Sequence, residues 1–306
     1  MRCIGTMTTL PDRIGTLSTT IKSIMRQSDP LDVLYINMPY KTLKNETYNI
    51  PPTFLDAFKW FHTKVIINRC SKDYGPITKL APVLDIETDH KTYIFTFDDD
   101  VLCHRHAVKK LKEKIKQYPS SCLCFSGVCW GSFPFYFQLV IDNKDDQLVD
   151  WIEGVHICVY KRSFFVSTEE LVSFGNSMSI KNDLLFNDDH KISGYLASKN
   201  IRRISIGENC TNYIFKRLVS QQNALSGRSF KLLGEHYRII KYFQRHGLYK
   251  ELYTPLKSLG FYVLFILILS LIMFFKFPKC YRHIYVLFIL VYIKMNIMYK
   301  MDRNRF

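Results

Sequence analysis

The stretch YIFTFDDDVL, residues 93–102, sets the strongest constraint on what this chain can fold into. Tyr93, Ile94, Phe95, Thr96 and Phe97 are all aromatic or β-branched, the composition of a buried strand. The run then ends in three adjacent carboxylates, Asp98, Asp99 and Asp100. Unpaired charges are costly in an apolar interior. The strand must therefore be buried while its carboxyl end reaches a solvated cleft or a countercharge.

An open α/β sheet meets both demands, because ligands collect in the crevice beyond the carboxyl ends of its strands. The pattern of residues 1–201 fits one. Residues 2–9, RCIGTMTT, read as a first strand, with Pro11 ending it. Residues 14–26 place Ile14, Leu17, Ile21, Ile24 and Met25 at helical spacing. Val33–Pro39, Lys64–Cys70 and residues 92–98 read as further strands, with a helix expected over 78–86 after the turn signal DYGP. Over residues 104–118, Ala107, Val108, Leu111, Ile115 and Tyr118 form an apolar face. Lys109, Lys110, Lys112, Lys114 and Lys116 form a solvated one. This alternation predicts an α/β fold, a mainly parallel sheet flanked by helices.

The triple aspartate admits two readings. Hard divalent cations take oxygen ligands, and Mg²⁺ typically uses one or two carboxylates together with substrate phosphates. Asp near a helix start is also a common cap. An EF-hand is excluded, since the glycine and the twelfth-position glutamate of that loop are missing. Three other stretches carry matching chemistry. SKDYGPITKLAPVL (71–84) sets Thr78 and Lys79 in a first helical turn, where an anion is favoured. VDWIEGVHICVYKRSFF (149–165) is a strand interrupted at Glu153-Gly154, where glycine permits close approach of a ligand. FNDDHKISGYLASKNI (186–201) holds a second acidic pair, Asp188-Asp189, before the amphipathic residues Ile192, Tyr195 and Leu196. That pair reads equally as a helix cap.

The formal net charge is +15, which first points to nucleic acid. Its distribution argues otherwise. Residues 1–201 carry 24 Lys/Arg against 23 Asp/Glu, residues 202–257 carry 11 against 3, and residues 258–306 carry 7 against 1. The basicity thus lies beside residues 259–275, LGFYVLFILILSLIMFF, 17 residues without a charge. A second apolar run, IYVLFILVYI, follows at 284–293. Together they predict a C-terminal hydrophobic membrane hairpin. Lys and Arg on both flanks place those flanks on the cytosolic side, with the basic stretch against anionic headgroups. Its interleaved aromatics, such as Tyr213 and Phe230, could instead stack on bases. Nine scattered cysteines without a CxxC pair and an N-terminus without an apolar signal core fit a reduced, cytosol-facing domain.

Taken in order, TTLPDRI, DYGPITKL, FTFDDDV, VDWIEGVHICVYKRSFF and DDHKISGYLASKNI resemble nucleotide-sugar-dependent glycosyltransferases of the GT-A fold. The likeness is to a group of small bacterial and viral-type enzymes with a Gly-Pro-x-Thr-Lys-Leu motif, over residues 2–206. It implies a GT-A-like catalytic domain at 1–206; charge and hydropathy add a basic juxtamembrane segment at 207–257, two hydrophobic membrane segments within 258–300 and a basic tail at 301–306, outside that core. The resemblance makes Asp100 the metal ligand, with Asp98 on the ribose or the metal's water shell and Asp99 a variable middle residue. The cofactor would be a divalent cation, Mn²⁺ or Mg²⁺, with His236 as a loose candidate for the late histidine ligand. Thr8, Leu10, Pro11 and Arg13 would border the nucleotide, Lys79 the diphosphate and Gly154 the donor sugar. Asp189, with Asp188 in reserve, would be the base that deprotonates the acceptor hydroxyl, giving inversion.

The expected activity is a membrane-associated transfer of a sugar from a nucleotide-sugar donor to a glycan, lipid or protein acceptor. No nucleic-acid partner is expected. Two alternatives stand beside it: a membrane-tethered binding or scaffold protein with an inactive transferase-like domain, and a metal-dependent phosphotransferase or nucleotidyltransferase.

Overall fold

The computed structural model describes residues 1–130, 137–140, 145–206 and 229–249. The strands are β1 (Cys3–Thr8), β2 (Val33–Pro39), β3 (Lys64–Cys70), β4 (Tyr93–Phe97), β5 (Ser121–Cys124), β6 (Gly127–Trp130), β7 (Phe137–Val140), β8 (Gln147–Leu148), β9 (Trp151–Ile152), β10 (Cys158–Lys161) and β11 (Arg202–Ser205). The α-helices are α1 (Ile14–Met25), α2 (Val83–Ile86), α3 (Ala107–Gln117), α4 (Thr168–Ser173), α5 (Lys181–Leu184), α6 (Asp188–Ser198) and α7 (Ser229–Arg245).

Eight strands form one sheet in the order β3-β2-β1-β4-β10-β5-β11-β8. Its first four strands are parallel, as is the β5–β11 pair. β10 runs antiparallel to both β4 and β5, and β8 antiparallel to β11. The sheet is thus mixed and mainly parallel. The sequence pattern had no signal for the reversed strand, because a strand buried on both faces looks the same in either direction. A small antiparallel sheet, β7-β6-β9, stands apart.

Side chains alternate across the strands. Phe95 and Phe97 join Met7, Leu34 and Ile36 beneath α1 and α3, whose Leu17, Ile21, Ile24, Leu111 and Ile115 are buried there. Ile94 joins Ile4, Val33 and Tyr35 on the other face, against Leu80, Val83, Leu171, Ile192 and Leu196. Each such fully buried aliphatic side chain contributes about 1.5–3 kcal/mol. The lysine face of α3 is solvated only in part. Lys112 donates to Asp29 at 2.6 Å and Lys114 to Asp146 at 2.8 Å, tying the helix to neighbouring loops.

The helix expected over 78–86 is two pieces, a 3₁₀ turn at Gly75–Lys79 and the short α2. Pro82 lies between them and has no N–H with which to continue the ladder. Gly75 stands at φ +71, which the turn entering this segment requires. The expected membrane hairpin lies outside the described residues. Among the described residues, no helix is long and apolar enough to cross a membrane.

Candidate active site

The parallel register places Met7 beside Phe97, so the residues after β1 meet those after β4. Cys158 pairs with Thr96 across the next ladder, which brings the turn before β10 to the same end of the sheet. Asp98, Arg13, Lys79, Gly154 and the start of α6 all meet there.

Lys79 is the hub. Its ammonium donates to Asp98 Oδ1 at 3.0 Å and pairs with Asp188 Oδ2 at 2.8 Å. Its side chain is only 8% exposed. Burial opposes that charge, but Asp188, Asp98 and Asp189 outweigh it and raise the Lys79 pKa well above its ordinary value, so the ammonium stays protonated. The backbone beneath is fixed too. The Lys79 carbonyl accepts from the Thr6 hydroxyl at 2.6 Å and from Asn37 Nδ2 at 3.2 Å, both on buried strands.

The two acidic residues at the start of α6 occupy different surroundings. Asp188 faces Lys79, whereas Asp189 Oδ1 accepts the Gly154 N–H at 2.9 Å. A Cβ added at Gly154 would lie 2.7 Å from Asp189 Oδ1 and 2.8 Å from Lys79 Nζ. A side chain there would have to push one or both of them aside. Burial and then the neighbouring Asp188 charge raise the Asp189 pKa well above the usual carboxylate range, with Lys79 opposing. The turn itself is held under strain, since Ile157, a β-branched residue, stands at φ +61. Such outliers persist where their surroundings over-determine them.

The middle aspartate is engaged on several sides. Asp99 accepts from Thr9 Oγ1 at 2.7 Å and from Arg13 at 2.6 Å, and its carbonyl accepts from Thr20 at 2.9 Å. Burial raises its pKa although Arg13 lowers it. The sequence reading left Asp99 without a role, and its place here is that of an anchor for the strand end. The same Arg13 lies 3.7 Å from Asp100 Oδ2. Of the remaining predicted nucleotide-bordering residues, Thr8 donates to the Asn37 carbonyl at 2.9 Å, Leu10 is exposed and Pro11 opens the 3₁₀ turn that carries Arg13.

His236 lies on α7. Its Nδ1 lies 2.6 Å from Nε2 of His190, whose Nδ1 in turn lies 2.9 Å from the Tyr249 hydroxyl. His190 is fully buried and packs against Trp151, with ring centroids 4.7 Å apart. Burial lowers the pKa of both imidazoles. α7 also packs Ile239, Ile240 and Phe243 onto Trp151 and α5, and so belongs to the same body as the site. Among the described residues, no group of three or more His, Cys, Asp or Glu is arranged to hold a metal by itself.

No protein-family model matches the chain. No curated protein matches it either. Among solved structures it is similar to S. aureus TarS residues 1–349, in complex with UDP, with 10% identity and a TM-score of 0.44. The similarity covers 78% of this chain and 63% of that one, so the chain spans less than two thirds of it. A likeness of that degree carries no argument about activity.

Sequence reasoning passed over several residues that the structure places at this end of the sheet. Glu153 accepts from Ser126 at 3.1 Å, and burial raises its pKa. Asn37 braces Lys79 from inside an otherwise apolar strand, and that lone amide was the available signal. His190 follows the acidic pair directly, but nothing local marks its partner on α7.

Proposed function

We propose that the chain is a metal-dependent GT-A-type glycosyltransferase, membrane-associated through residues 258–300, that moves a sugar from a nucleotide-sugar donor to an acceptor hydroxyl. The observation that carries this reading is the Lys79 bridge. One buried ammonium ties a carboxylate at the end of β4 to one at the start of α6, so the groups this reading assigns to donor and acceptor share one cation.

The residues fit a divalent cation. Five aspartates, Asp98, Asp99, Asp100, Asp188 and Asp189, face two paired cations of the chain, Lys79 and Arg13. A diphosphate would add to the negative surplus, and hard oxygen donors suit Mg²⁺ or Mn²⁺. Asp98 and Asp100 would hold the ion, with donor phosphates completing its shell, and His236 stays with His190. When bound, the ion offsets charge growing on the diphosphate leaving group. Lys79 steadies the same charge from the protein side. Asp189 takes the acceptor hydroxyl proton, burial and the Asp188 charge having raised its affinity for one. The acceptor oxygen bonds to the anomeric carbon as the bond to the diphosphate oxygen breaks, with inversion. Asp188 positions Lys79.

One observation favours the inactive-scaffold alternative: Arg13 and Lys79 already pair with four of the five aspartates. A screen of UDP-, GDP- and ADP-sugars, following nucleoside diphosphate release with Mn²⁺ or EDTA, decides between them. The transferase reading expects Mn²⁺-dependent turnover of one donor, lost in Asp100→Ala. Neither turnover nor Mn²⁺-dependent donor binding would leave the scaffold reading.

A further inference from the structure

One carboxylate at this end of the sheet is left over. Among the described residues, four of the aspartates there pair with Lys79 or Arg13, and the fifth, Asp189, accepts the Gly154 N–H. Glu153, one residue before that glycine, meets neither cation. Its Oε2 accepts from the Ser126 hydroxyl at 3.1 Å, and Oε1 has no partner among the described residues. Oε1 is not among the enclosed polar atoms either, so it opens to solvent. The group is not loose. Its backbone N–H donates to the Ser126 carbonyl at 3.1 Å, and its carbonyl accepts from Cys158 Sγ at 3.7 Å. A half-buried carboxylate held in place with one oxygen free is built to accept a hydrogen bond from outside the chain.

Its place says what could donate. The Glu153 charge is one of those that raise the Asp189 pKa, whereas the Lys79 ammonium is held by Asp188, Asp98 and Asp189. Glu153 therefore stands on the side of Asp189, where the acceptor would enter. A hydroxyl carries a single O–H. Once Asp189 has taken the proton of the reacting oxygen, that oxygen offers Glu153 nothing. A second hydroxyl beside the first would satisfy it, through a hydrogen bond to an ionised group, which is stronger than one between neutral partners.

We propose that Glu153 is a specificity-determining residue, which accepts a hydrogen bond from an acceptor hydroxyl next to the one that reacts. The inference rests on the transferase reading above and narrows its acceptor to a polyhydroxylated one, a sugar with neighbouring hydroxyls. Glu153 takes no proton. The reacting oxygen bonds to the anomeric carbon, its proton passes to Asp189, and the nucleoside diphosphate leaves. The neighbouring hydroxyl keeps its proton and is held by Oε1, which turns the reacting oxygen toward Asp189.

The test uses the full chain with the donor that the screen identifies and methyl glycosides of the common hexoses as acceptors. The glycoside that is glycosylated best is compared with its analogue lacking the hydroxyl next to the reacting one. In wild type that loss is expected to lower kcat/KM at least about tenfold, as for a site built around a hydroxyl. In Glu153→Ala the two acceptors should differ by about twofold or less. Glu153→Gln, which keeps the shape and an amide oxygen that accepts, should fall between. The ratio of the two acceptors is the readout, since a merely structural role would slow both alike and leave the ratio at its wild-type value. That outcome overturns the proposal, as does donor turnover without transfer to any of these glycosides. A ratio that changes with Glu153 only when a hydroxyl is removed from the donor sugar also overturns it, placing the residue on the donor. No donor turnover at all ends the transferase reading, and this inference with it.

Discussion

The Gly154 N–H donates to Asp189 Oδ1 at 2.9 Å, and the same glycine leaves the space in which Lys79 and Asp189 approach one another. Backbone and base are fixed together, so a change at residue 154 reaches the chemistry directly. Gly154→Ala is expected to push both side chains aside at a cost of about 1–3 kcal/mol. Turnover of the active donor should fall about 100-fold, the usual scale for a displacement near 1 Å at a reacting group. Kinetics and a thermal melt on the same preparation check both effects.

Lys79 carries the heaviest electrostatic burden. Lys79→Met leaves Asp98 and Asp188 without their shared partner, and losing one member of a buried pair costs about 3 kcal/mol or more. Adding Asp188→Asn to that variant should recover part of the loss, since the stranded charge is then gone. The urea midpoints of wild type, both single variants and the double variant form the cycle that measures this coupling. Strict additivity across the cycle would show the two groups to be independent.

The raised Asp189 pKa makes a signed prediction. In the unfolded chain this carboxyl loses its proton near pH 3.9. The folded chain holds it to higher pH, under burial and the adjacent Asp188 charge. Folding therefore takes up a proton between those two values, and stability falls as pH rises through that window. Asp189→Asn should remove that slope. If Asp189 is the base, kcat should rise with pH over the same window, as a property of the Asp188–Asp189 pair. Denaturation and rate profiles measured side by side check the two slopes.

The His190–His236 pair predicts the opposite slope. Both imidazoles resist protonation in the folded chain because of burial. Below the ordinary imidazole pKa of about 6.5, the unfolded chain takes up protons that the folded one refuses. This contribution is complete above pH 6.5 and shrinks as the pH falls below it. His190→Gln should flatten the difference in melting temperature between pH 7.5 and pH 5.5. Mn²⁺ affinity in His236→Ala, measured by titration, should stay within about twofold of wild type, because His236 is already engaged by His190.

Local pattern was enough for much of the fold. The apolar run of β4 and its acidic end, the helical spacing of α1 and α3, and the breaks at Pro11 and Gly75 are all legible residue by residue. Hydrophobic period and backbone chemistry act over a few residues, and those interactions are written in the order of the chain. The same holds for which residue types gather chemistry: the aspartates, Lys79 and Gly154 were identifiable as kinds of group before any contact was known.

Which group meets which was decided only by the tertiary structure. Lys79 bridges Asp98 and Asp188, Arg13 lies closer to Asp99 than to Asp100, and His236 meets His190. β10 also runs against its neighbours. Each of these depends on sheet register and on helix docking between segments far apart in sequence. A displacement of one residue in register turns a side chain to the opposite face. Charge pairing at hydrogen-bond range admits no such error, so the partners of these aspartates exist only once the sheet has set its register.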